Sequence, residues 1–157
     1  MKTLTLSLAT LLALNSMSCS TVQSLRDKLE NMSEPTFNAV VASISDVATR
    51  GGKALKTQVS EQDAANIKLV MLIVAQGIEN DKIENLNEIL HALIKGEVKF
   101  VNNPDLNKQL NEAMRDAIDL IGALVGNLDL GLDGVLSVRE KLLFTTLFRS
   151  VVVGLDS

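Results

Sequence analysis

The seven residues Leu69-Val70-Met71-Leu72-Ile73-Val74-Ala75 leave this chain few options. A helix built on them is apolar on every face, and such a helix needs other elements around it. The run is far shorter than the roughly 20 apolar residues of a membrane span. It therefore predicts the central, buried helix of a globular domain. Ser60 is placed to cap that helix, with Asp63 reaching back in a weaker version of the capping box. Gly77 and Asn80-Asp81 predict its end.

Apolar residues recur at helical spacing on either side of this run. Val22, Leu25, Leu29 and Met32 share a face over Thr21 to Met32, with Arg26 and Glu30 spaced for an i,i+4 pair. Ser33-Glu34-Pro35 opens a second helix with an inner face of Phe37, Val40, Val41, Ile44, Val47 and Ala48. Gly51-Gly52 is expected to stop it after Arg50, because glycine accepts the left-handed conformation of a helix end. A fourth helix is expected from Asp81 to Lys95, on the stripe Ile83, Leu86, Ile89, Leu90, Leu93 and Ile94. Glu97 to Val101 alternates polar and apolar residues, as an extended connector does, but has no strand partner, so no sheet is expected.

Asn103-Pro104-Asp105 combines a cap, a first-turn proline and an acid at the positive end of the helix dipole. The helix it starts turns Leu106, Leu110, Ala113, Ala117, Ile121 and Leu124 inward, and Lys108, Glu112, Arg115 and Asp119 to water. Ser137-Val138-Arg139-Glu140 is a full capping box. The last helix follows to about Val153, and Leu142, Leu143, Phe144, Leu147, Phe148 and Val151 to Val153 imply its burial. The fold class expected is all-α, a bundle of five or six helices around Leu69–Ala75.

The N-terminal end has a different character. Lys2 supplies a short positive region, Leu4 to Leu14 an apolar one, and Asn15 to Ser18 a small polar one before Cys19. This is the anatomy of a cleavable secretory signal over residues 1–18. It leaves 139 residues, enough for one domain, divided into a segment 19–34 (tether or first helix) and a helical domain 35–157. Cys19 is the only cysteine, and an unpaired thiol in an exported chain invites intermolecular oxidation.

The arrangement resembles a bacterial lipoprotein signal. In that family the cysteine after the cleavage site is acylated and becomes the new N-terminus. Ser16 departs from the usual leucine of that motif, and Ser16 with Ser18 also fits ordinary signal cleavage. The resemblance implies lipidation of Cys19, which would also consume the lone thiol, and attachment to a membrane of the bacterial envelope. Ser20 resembles the residue that sorts such proteins to the outer membrane, facing the periplasm.

Composition excludes several classes of function. The formal net charge is −4, and no basic cluster appears, so nucleic acid is not an expected partner. Phe37, Phe100, Phe144 and Phe148 are the only aromatics, which leaves almost no stacking platform for bases or sugars. Glu88 and His91 have the spacing of a half-site in di-iron bundles, but His91 is the only histidine and the second half-site is missing. An exposed ion pair on a helix accounts for them better. Met32, Met71 and Met114 read as core filler.

One loop resembles an EF-hand calcium loop. Asp129, Asp133, Gly134, Leu136, Ser137 and Glu140 match the family pattern, and Gly131 lacks the third ligand. The resemblance implies calcium held by Asp129, Asp133, Val135, Ser137 and Glu140. A plain helix–helix turn closed by the capping box explains Gly134, Ser137 and Glu140 without calcium, and is the reading favoured. Three functions remain open: a lipid-anchored, non-enzymatic envelope protein that offers a helical surface to a partner, a weak calcium-binding module, and a small periplasmic hydrolase using carboxylates.

Overall fold

A computed structural model of the chain describes residues 19–80, 98–124 and 136–157, without the side chains of 19–23, 25 and 118–124. Within these residues the fold is all-helical, with five helices and no strand. They are α1 (Cys19–Glu30), α2 (Glu34–Lys56), α3 (Glu61–Glu79), α4 (Pro104–Leu124) and α5 (Val138–Asp156). The expected Asp81–Lys95 helix, with Glu88 and His91, lies outside the described residues, as does the Leu4–Leu14 segment.

The helix starts lie where the local chemistry puts them. Ser33, Ser60 and Ser137 are extended N-caps whose hydroxyls accept from the amides of Thr36, Asp63 and Glu140. Asn103 Oδ1 accepts from the amides of Asp105 and Leu106 at 3.0 and 3.1 Å, so its side chain caps α4. Each cap satisfies amides that the first turn leaves without a helical partner. Asp63 does not serve the cap of α3. Its carboxylate accepts from Asn102 Nδ2 at 3.3 Å.

The second helix does not stop at Gly51-Gly52 but runs through both to Lys56. The reason is tertiary. A Cβ on Gly52 would lie 2.9 Å from Gly154 Cα, and nearer still to the Val151 carbonyl oxygen. A Cβ on Gly154 would lie 2.8 Å from Gly52 Cα and from Lys53 N. The two glycines are thus where the backbones of α2 and α5 meet, and the missing side chains let them do so. The Ser45 and Ser150 hydroxyls share a hydrogen bond of 2.9 Å along the same contact.

Among the described residues the helix that the others pack along is α5, not the Leu69–Ala75 run. α5 packs along both α2 and α3, which touch each other far less. It runs parallel to α2, with Glu34 bonded to Arg139 near the start and Gly52 against Gly154 near the end. It runs antiparallel to α3, with Glu79 bonded to Arg149 and Lys68 to Asp156. In α3, Ile67, Met71, Val74, Ala75 and Ile78 are buried, whereas Leu69 is 60% and Ile73 39% exposed. A run apolar on all sides was expected to be enclosed; here one side of it faces out. Val47, Leu142 and Val153, expected inside, are exposed as well.

Two apolar clusters result. The larger joins Leu55 of α2, the inner face of α3, Phe100 and Val101, Leu110 and Met114 of α4, and Leu136, Phe144, Phe148 and Leu155. The smaller has Leu29, Phe37 and Leu143 at its centre, with Met32, Val40, Val41 and Ile44 around them. Phe100 and Val101 have no regular structure yet are buried, so their backbone needs side-chain partners. Asn107 Oδ1 accepts from both amides, at 2.7 and 3.2 Å, and Asn111 Nδ2 donates to the Val98 carbonyl at 2.9 Å.

Candidate functional site

Two places on the molecule depart from plain apolar packing. The first is the seat of α1. Cys19, the first described residue, lies in this helix. Arg26, two turns on, meets Glu140 of α5 in a two-pronged pair, Nε to Oε1 at 2.7 Å and Nη2 to Oε2 at 2.9 Å. Glu140 is fully buried, and its Oε2 also accepts from the Ser137 amide at 2.9 Å. That second bond completes the capping box of α5. One carboxylate therefore starts α5 and holds α1. The bond to Glu140 raises the Arg26 pKa above the ordinary arginine value, against the lowering effect of desolvation. A raised arginine contributes its stability at every pH below its unfolded value, so this contribution is flat through neutrality.

Arg139 closes the other side of the seat. Its Nη1 donates to the Leu29 and Met32 carbonyls at 2.7 and 2.6 Å, and its Nη2 to Glu34 Oε1 at 3.1 Å. The guanidinium lies over the Phe37 ring, 4.7 Å from its centre. A cation at a helix C-terminus meets the last carbonyls and the negative end of the dipole. The Ser137 hydroxyl also donates to Glu30 Oε1. Arg26 and Glu30, expected to pair within α1, thus each reach across to α5. The sequence marked the Ser137–Glu140 box but not its partners Arg26 and Arg139, because a contact over more than a hundred residues leaves no local pattern.

Of the residues implied as calcium ligands, Ser137 and Glu140 are in the described part, and Asp129, Asp133 and Val135 are not. Both Glu140 oxygens are engaged by Arg26 and one by Ser137 N, so an ion using them would have to displace the arginine. Among the described residues no group of three or more His, Cys, Asp or Glu is arranged to hold a metal.

The second place is the outer face of α3. Gln62, Ala65, Leu69, Ile73 and Gln76 are exposed along it at spacings of three and four residues. The face carries no ionised side chain of its own. Charges flank it: Glu61 is exposed in the first turn beside Gln62, and farther along Lys68 is tied to Asp156 of α5 at 2.7 Å and Glu79 to Arg149 at 2.6 Å. The hydrogen bond and charge of Glu79 also raise the Arg149 pKa above the usual arginine value. Single exposed aliphatics are ordinary on protein surfaces; an uncharged stripe on one helix is the shape of a helix-docking surface. No helix among the described residues is long and apolar enough to cross a membrane. Compared with known proteins, the chain matches no family model, no curated protein and no solved structure.

Proposed function

We propose that this chain is a lipid-anchored, non-enzymatic protein of the bacterial envelope that presents the outer face of α3 to another envelope component. The observation that carries the reading is the uncharged stripe of Ala65, Leu69 and Ile73 between Gln62 and Gln76. The anchor rests on the order of charge, apolar run, small polar residues and Cys19 at the start of the sequence. Acylation of Cys19 supplies membrane attachment without a spanning helix. The reading without catalysis rests on the sparse chemistry: one histidine, one cysteine placed at the anchor, and no nucleophile motif.

Two measurements test it. Intact mass of the mature protein from the membrane fraction should show a chain beginning at Cys19 and carrying acyl chains; a free Cys19 thiol would overturn the anchor. A photo-crosslinking residue at Leu69, in intact cells, should give a discrete adduct that Ile73→Lys abolishes. The same residue at Asn38, exposed on α2, should give none. Equal labelling from both positions would remove the α3 face as the docking surface.

A further inference from the structure

Anchored proteins are commonly held off the bilayer by a flexible tether, and the geometry of α1 points to the opposite arrangement here. We infer that α1 joins the lipid on Cys19 to the bundle as one rigid piece, so that the bundle rests against the lipid headgroups. The inference rests on the anchor proposed above. It starts from three observations that do not depend on that anchor. α1 is helical from Cys19 onward, with no extended residues between Cys19 and the bundle. Seven residues later Arg26 is bonded through two nitrogens to the buried carboxylate of Glu140. The helix ends with Leu29 in an apolar seat and its last carbonyls on Arg139.

Distances make the consequence definite. Seven helical residues advance about 10 Å along the axis. The headgroup layer on each side of a bilayer is roughly 5–8 Å deep. Even with α1 upright on the membrane, Arg26 and the part of α5 that it grips stand just outside the headgroups. Any tilt brings them closer. The lipid interface is then a permanent neighbour of the bundle, and a partner must approach from the side or from above. A tether would instead let the domain sweep a volume set by its length.

Trypsin provides the test, because Arg26 and Lys28 are the first basic residues after Cys19. Cutting after either one severs the bundle from the lipid. The mature protein is placed in vesicles of phosphatidylethanolamine and phosphatidylglycerol, treated with trypsin, and the bundle released to the supernatant is followed in time. Release from the wild type should be slow. Glu140→Gln, which weakens the grip on Arg26, should speed it at least about tenfold, since cleavage follows the population of the undocked helix. Arg139→Gln, which leaves the α5 cap in place, should act in the same direction. Circular dichroism and a cooperative melt establish that each variant remains folded. Wild-type release as fast as that of Glu140→Gln would overturn the inference and restore a tether. Intact mass separates this outcome from failure of the anchor. If Cys19 proves unacylated, the same digestion read on a gel still reports whether α1 is docked.

Discussion

The α2–α5 crossing and the seat of α1 hold helices together by opposite means. At the crossing, Gly52 and Gly154 remove side chains so that backbones touch, and the large apolar cluster continues beside them. At the α1 seat the buried apolar group among the described side chains is Leu29, Phe37 and Leu143, α1 also touches α4, and two arginines add charged hydrogen bonds. Close packing is insensitive to salt and intolerant of any added atom. A charged clamp is directional, and it fails when one partner is removed, because the other is left buried and unpaired. The difference is that α1 is held by directional charged bonds at a small apolar seat, while α2 and α5 are joined by backbone contact beside the large apolar cluster.

The sharpest way to break the comparison is at the crossing. Gly154→Ala should cost about 4 kcal/mol or more, at the upper end of overpacking effects, because the obstacles are backbone atoms that have no rotamer to change. A loss near 1 kcal/mol in chemical denaturation would mean that the helices separate easily. Next, Ile78→Ala should cost about 3–4 kcal/mol as a buried large-to-small change, while Leu69→Ala, on the open face of α3, should cost far less. Equal losses would return α3 to the enclosed position that its sequence predicts.

At the α1 seat, Glu140→Gln should cost about 3 kcal/mol, below the full loss of a buried pair because the amide still accepts from Ser137 N. Hydrogen exchange should show the loss concentrated in α1, with the buried amides of α3 unchanged; uniform loss would mean that the two regions are one cooperative unit. Gly51→Ala provides the opposite sign. Nothing lies within 4 Å of a Cβ there, so replacing a helical glycine should stabilise by about 0.5–1 kcal/mol. Neighbouring glycines with effects of opposite sign would isolate Gly52 as the contact point. The smallest effect concerns calcium. With Glu140 committed to Arg26, the melting temperature should not respond to about 1 mM calcium, a level at which even a site of millimolar affinity would add only about 0.4 kcal/mol. A rise of several degrees, lost in Asp129→Asn, would establish the loop as a calcium site that competes with the clamp.

Much of the framework was legible before the fold was known. Ser60, Asn103 and the Ser137–Glu140 box lie at helix starts because capping is settled within four residues. Lys108 and Glu112, expected to face water, are exposed and pair with each other at 3.9 Å. Met71 and Met114 are buried as expected, and Met32 packs at the edge of the smaller cluster. The errors share a cause. Gly51-Gly52 read as a stop because glycine has a local meaning at helix ends, whereas Gly52 answers to Gly154, which is distant in sequence. Nothing local marks Asn107 and Asn111, because their partners are carbonyls and amides of the irregular 98–101 segment. At the candidate site, Glu140 was visible as half of the capping box, but the hold of Arg26 on it was not.

The sequence by itself determined that the described part of this chain is helical and roughly where its helices begin. Those properties follow from hydrogen bonds and periodicities that close within one or two turns. Only the tertiary structure decided that among the described helices α5 is the one that α2 and α3 pack along, that a glycine pair is a crossing rather than a stop, and that the buried carboxylate of the last helix takes its arginine from α1. An amphipathic pattern states that a face must be covered without naming the cover. A buried charge must likewise be paired, and only the packing of distant segments selects the partner.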